Sequence, residues 1–170
     1  MNALRRGYAL GHDLERPRLV HLEVLGTPAP KGSSRAMIRG GHAVNVPSGS
    51  EVNRRNLKGW DAAVREAAAS FVGDVAAPPF VKVALHVQLT FRLTRPGGHW
   101  GEGKRAGQLK ASAPLYPAGK PDADKLTRAT LDSMTGIVFD DDSRIVRLVV
   151  EKLYARPGEE GATITVEEME

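Results

Sequence analysis

Five aspartates, Asp122, Asp124, Asp140, Asp141 and Asp142, fall within a stretch of 21 positions in a chain whose remaining charge is basic. Like charges at that density repel unless a cation or a basic side chain joins them, and hard divalent ions such as Mg²⁺ take carboxylate oxygens as ligands. Carboxylates grouped around a short helical segment of a basic protein point to metal-assisted chemistry on a polyanion.

The elements that must position them can be read from the same stretch. A short helix is expected from about Asp124 to Met134, stopped by Thr135-Gly136. Asp122 and Asp124 lie where it begins, so one can cap free N–H groups while the helix dipole keeps both ionised, the state a metal ligand needs. Asp140 to Asp142 precede a β-rich strand, Arg144 to Tyr154, in which alternate side chains share a face, so only some of the three point at one site. The plainer alternatives are an N-cap for Asp122 and a solvated turn for the run. Asp132 stands two turns beyond Asp124, roughly 12 Å along the axis, and reads as structural.

Further elements surround this region. Leu19 to Gly26 reads as a strand, and Thr27 to Arg35 as a Pro/Gly/Ser turn carrying Lys31 and Arg35. A weak hairpin is expected over Ala36 to Val46, turning at Gly40-Gly41. From Glu51 to Phe71 the residues Leu57, Trp60, Val64, Ala67 and Phe71 mark an amphipathic helix, with Trp60 on the apolar stripe and so a core residue rather than a base-stacking one. Val81 to Leu93 alternates apolar and polar, as a strand with one wet face does, and predicts antiparallel pairing with His86 solvated. Thr94 to Lys120 has no periodicity and carries Arg95, Lys104, Arg105, Lys110 and Lys120; it reads as an arm that orders on a phosphate backbone, or as a plain linker. His99 and Trp100 in it are candidates to stack on an unpaired base. Thr163 to Val166 is the last strand.

At 170 residues the chain fits one domain. Residues 1–18 are expected to form a flexible arm and 19–170 the domain. Lys plus Arg number 24 against 20 Asp plus Glu, and setting the clustered aspartates aside leaves the footprint of a nucleic-acid binder. No cysteine is present, which excludes disulfides, thiolate metal sites and a cysteine nucleophile. No secretory signal and no membrane-spanning run is legible, so a soluble, cytoplasmic protein is expected.

Lys120-Pro-Asp-Ala-Asp-Lys-Leu-Thr-Arg, Leu131-Asp, Gly136-Ile-Val and Asp141-Asp-Ser-Arg-Ile-Val resemble the signature of the RusA family of Holliday-junction resolvases, small endodeoxyribonucleases common in prophages. The resemblance extends more weakly to Gly26–Arg35 and to the order of elements. It implies an α+β fold, a single small domain with a mixed, mostly antiparallel sheet and two helices. It further implies a homodimer that resolves four-way DNA junctions by paired incision with Mg²⁺, in recombination and repair, leaving 5′-phosphate and 3′-hydroxyl ends. By the resemblance Asp122, Asp124 and Asp142 are the essential metal ligands, Asp141 the acidic neighbour of the third, and Arg128 stands where the family has a functional Lys. Lys125 replaces the usual Asn and adds a positive charge. An ordinary Asp124–Arg128 pair is the alternative role for Arg128. Lys31, Arg35, Arg95, Lys104, Arg105, Lys110, Lys120 and Lys125 are the expected DNA contacts. Two rivals stay open, a metal nuclease of other branched DNA and a non-catalytic DNA-binding protein.

Overall fold

The computed structural model describes residues 18–32, 34–47, 50–74 and 76–169. Among them, strands β1 (Leu19–Leu25), β4 (Leu85–Leu93), β5 (Ile145–Tyr154) and β6 (Gly161–Glu168) form one sheet in the order β1-β6-β4-β5. Strands β2 (Ser34–Arg39) and β3 (His42–Pro47) form a separate hairpin turning at Gly40-Gly41. Helices α1 (Glu51–Val72) and α2 (Ala123–Met134) complete an α+β domain, as expected. The N-terminal arm expected over residues 1–18 lies, up to residue 17, outside the described residues.

Alternation decides which face of the sheet is covered. Val20, Leu22 and Val24, Leu85, Val87, Leu89 and Phe91, and Ala162, Ile164 and Val166 are buried, while their neighbours along each strand face outward. The helices lie against this apolar face. Helix α1 starts at Ser50, whose hydroxyl accepts the Asn53 N–H, and ends at Gly73, whose φ of 71° suits glycine. Its Trp60, Val64 and Ala68 are buried, and the Trp60 indole N–H donates to Thr130 Oγ1 of α2 at 3.1 Å, so Trp60 is a core residue. Phe71, expected on the same stripe, is 45% exposed because it lies at the end of the helix.

Helix α2 is more enclosed than its polar sequence foretells. Thr127, Thr130 and Ser133 are buried, and each hydroxyl donates to the carbonyl four residues back. That bond lets a hydroxyl sit in a core without an unmet donor. The single Ser133 hydroxyl proton is shared between the Ala129 carbonyl and Asp61 Oδ1 of α1, at 2.9 and 2.6 Å, which makes a second polar tie between the helices.

Three expectations are corrected. The strand predicted from Val81 begins only at Leu85, because Lys82 takes a left-handed φ of 56° and Phe80 bridges to Phe139 instead. That strand is antiparallel to β6 but parallel to β5, since alternation reports a wet face and not the direction of a partner. A parallel pair needs a crossover, and the Thr94–Lys120 loop with α2 supplies it. His86 is not simply solvated: it stands in register with Glu167 and Arg147, 3.8 Å from the Glu167 carboxylate.

On the outer face Glu23 accepts hydrogen bonds from Arg92 and Thr163. Partial burial raises its pKa, but these bonds and the Arg92 charge outweigh that and hold it below the ordinary glutamate range. A group with a depressed folded pKa contributes stability above its unfolded pKa, and the contribution is lost as pH falls through the folded one. Urea midpoints are therefore expected to fall on acidification below about pH 4.5, and less steeply in Glu23→Gln; equal slopes would remove Glu23 from the account.

Candidate active site

Asp122 occupies the N-cap position of α2, yet its carboxylate makes no capping bond to the helix N–H groups. It faces the Lys125 ammonium instead, at 2.8 Å. The Lys125 hydrogen bond and charge hold the Asp122 carboxyl below the ordinary aspartate range, and the pair raises the Lys125 pKa in turn. Asp124 is exposed in the first turn and accepts no hydrogen bond from the described residues. The simple N-cap role for Asp122 is thus excluded; its oxygens are directed at a cation.

A cavity of about 390 Å³ opens at Asp122, lined by Lys125, Lys120 and Pro121, by Pro28, Ala29 and Pro30, and by Asn53 and Asn56 of α1. The Pro/Gly/Ser turn is fastened here: the Lys31 N–H donates to the Lys125 carbonyl at 3.0 Å, and the Lys31 ammonium pairs with Asp132. Asp132 is thus structural, as its spacing predicts. Asn53 and Asn56 are site residues that sequence reasoning missed; the signal was two amides three residues apart in the first turns of a helix.

Asp140, Asp141 and Asp142 lie past the other end of α2. Chain reversal at Gly136 brings Phe139 back beside Thr135, and buried Phe80 straps the return. The Phe80 N–H donates to the Val138 carbonyl at 3.2 Å, and the Asp140 N–H to the Phe80 carbonyl at 3.1 Å. Burial pushes the Asp140 carboxyl up, but Arg144 at 3.2 Å and the Lys82 N–H together hold it below the ordinary range. Asp141 accepts the Ser143 N–H at 2.8 Å, and hydrogen bonding from Ser143 lowers it likewise. Asp142 is exposed and has no partner among the described residues. The five carboxylates therefore divide: those of Asp140 and Asp141 each accept a backbone N–H, Asp141 through one oxygen only, whereas those of Asp122, Asp124 and Asp142 have no backbone partner among the described residues.

These three do not meet within one chain. Asp122 and Asp124 share the start of α2, whereas Asp142 follows its other end, and the twelve residues of the helix span about 18 Å at 1.5 Å per residue, against about 2.1 Å from a ligand oxygen to Mg²⁺. No group of three or more Asp, Glu or His is close enough to share a metal ion among the described residues. The donors fit a hard divalent ion in kind, as exposed or half-exposed carboxylate oxygens, and Mg²⁺ is commonly held by one or two carboxylates together with waters and substrate phosphate.

The basic residues also divide. Arg128 is exposed and forms no ion pair with Asp124, so the ordinary helix pair is excluded as its role. Arg95 donates to the Pro114 carbonyl at 2.9 Å, and Lys110 to the Gly98 carbonyl at 2.9 Å. The Thr94–Lys120 loop is accordingly built, with short 3₁₀ turns at Gly97–His99 and Gly103–Arg105 and bridges from Trp100 to Leu109 and Gly101 to Ala106. Lys104 and Arg105 are exposed on it, and their side chains have no partner among the described residues. The side chain of Arg35 lies outside the described residues.

The family model described as endodeoxyribonuclease RusA matches residues 26–167. No curated protein matches the chain. The matched span takes in the turn beside Asp122, both ends of α2 and all of the sheet except β1 and the last residue of β6.

Proposed function

The chain belongs to the RusA family of endodeoxyribonucleases, and from that premise we propose that it resolves Holliday junctions in the cytoplasm as a Mg²⁺-dependent homodimer whose metal sites are each shared between two subunits. Family membership carries the nuclease activity on branched DNA. The shared site rests on one observation: the three carboxylates without backbone partners stand at opposite ends of α2. Asp122 and Asp124 of one subunit with Asp142 of the other would hold the ion. When bound, it neutralises charge on the scissile phosphate and lowers the pKa of an attacking water.

The chain's own residues do the rest. The Lys125 ammonium lies 2.8 Å from one oxygen of Asp122, which leaves the other oxygen for a metal and the remaining ammonium donors for a phosphate oxygen. Arg128, one turn further along α2 and exposed, presents a fixed fork of donors to the same backbone. In-line attack leaves 5′-phosphate and 3′-hydroxyl ends. Strand β5, which follows Asp142 closely, is an edge strand with Val146, Leu148 and Val149 exposed, a surface suited to a second copy.

Complementation tests the arrangement. Asp122→Asn and Asp142→Asn chains are each inactive, but a mixed dimer places both wild-type carboxylates in one of its two sites. With random mixing, nicking of a cruciform plasmid is expected at about a quarter of the wild-type level, with open circles and no linear product. Absence of activity in the mixture, with mixed dimers verified by mass, would return the whole site to one chain. Cleavage of forks and flaps but not junctions would favour a general metal nuclease, and no cleavage with intact binding a DNA-binding protein.

The exposed pair Lys104 and Arg105 is expected to contact phosphates. Reversing both to Glu should make the slope of log K against log salt shallower by about 0.9 for each phosphate no longer neutralised, as read by anisotropy on a junction. Lys110 is left out because its ammonium holds the Gly98 carbonyl. An unchanged slope would make this part of the loop a spectator.

A further inference from the structure

The Thr94–Lys120 loop closes a second cavity, which the cutting chemistry does not use. It measures about 480 Å³, within the roughly 300–1,000 Å³ of small-molecule sites, and it shares Pro28, Lys120 and Pro121 with the Asp122 cavity. The Lys152 ammonium pins the ridge between the two by donating to the Gly119 and Pro121 carbonyls, at 2.8 and 2.9 Å.

The walls are flat and largely apolar, with Pro96, Pro117, Tyr116 and Tyr154 among them. Arg95 lies 3.9 Å from the centre of the Tyr154 ring while bonding the Pro114 carbonyl, which ties the loop to β5. His99 stands edge-on to Tyr154 with ring centres 5.6 Å apart, and its Nδ1 is enclosed without a hydrogen-bond partner among the described residues. An orphaned ring nitrogen beside a cavity calls for a ligand, and a turn of the imidazole presents it as donor or acceptor according to tautomer.

We propose that this cavity takes one unstacked nucleobase from the strand whose phosphate lies at Asp122, so that the loop reads the nucleotide flanking the incision. The proposal rests on the nuclease reading above. Flat aromatic and proline walls suit a base's π-face. His99 supplies the polar contact to the base edge. Lys120, on the shared ridge, is placed to follow the phosphate between base and cut. A nucleotide at a branch point has already lost stacking on one side, which lowers the cost of drawing it out.

The experiment is a cycle between protein and DNA. Junctions carrying each of the four bases, or an abasic site, at the nucleotides flanking the incised bond are cut by wild type, His99→Ala, His99→Asn and Tyr116→Ala, with melting curves as the folding control. Tyr116 is 58% exposed, so its truncation leaves the fold in place. Wild type is expected to lose about three- to tenfold in rate at the abasic site, the worth of a hydrogen bond or a stack. His99→Ala and Tyr116→Ala should show little further abasic loss, and junction Kd should change less than about twofold. His99→Asn, which keeps a nitrogen, should restore part of the discrimination. The same abasic penalty in all four proteins, or no penalty in wild type, would overturn the base pocket while leaving the nuclease reading intact. Wild type that neither binds nor cuts any junction would overturn both.

Discussion

Asp122→Asn, Asp124→Asn and Asp142→Asn are each expected to lower junction cleavage by at least about 10²-fold, the scale of losing one preorganised electrostatic interaction in a transition state. Each removes one negative charge from an exposed or half-exposed carboxylate without opening a cavity, so the thermal midpoint should be little changed. Junction binding is expected to hold or tighten, because a charge that repels phosphate is gone. Asp141→Asn should lose less, since the Asp141 carboxylate already accepts the Ser143 N–H. Single-turnover rates on a synthetic junction with Mg²⁺, beside anisotropy with Ca²⁺, check all four. Two of the three variants cutting at wild-type rates would remove the metal-site assignment.

Trp60→Ala is expected to cost about 3–5 kcal/mol of stability, as large aromatic truncations in cores do. Trp60 is buried between α1 and α2, and its indole N–H also donates to the Thr130 hydroxyl. Trp60→Phe keeps most of the volume and loses that bond, so about 1 kcal/mol is expected. Urea unfolding of the three proteins separates the packing contribution from the polar one. A Trp60→Ala loss below about 1 kcal/mol would mean that the helix layer is not held at this point.

Helices and strands were legible wherever side chains repeat with a period. The stripe from Leu57 to Val64, the alternation of β4 and the Gly40-Gly41 turn each announced their element. What periodicity cannot carry is the partner: β4 reads alike whether β5 runs with it or against it. Nor does it show that Lys82 turns left-handed and delays that strand to Leu85. The candidate carboxylates were legible, but their placement was not. The expected helix between Asp124 and Met134 already implied that Asp122 and Asp142 lie far apart, a consequence of length and not of composition. The roles of the basic residues were hidden for another reason. A Lys that pairs with Asp132 and a Lys with no ion pair look the same in a sequence, and only the packed chain separates Lys31 from Lys104.

Phe80 has no charge and belongs to no motif, yet its backbone holds the return that carries Asp140 to Asp142. In a genetic screen scored by loss of resolution it will stand beside the aspartates. On the metal site proposed above its loss differs in kind: a slack strap misplaces carboxylates that are all still present, so activity should recover at high Mg²⁺ or low temperature, whereas Asp142→Asn recovers under neither. A conditional phenotype is thus the mark by which scaffold and chemistry part company in this protein.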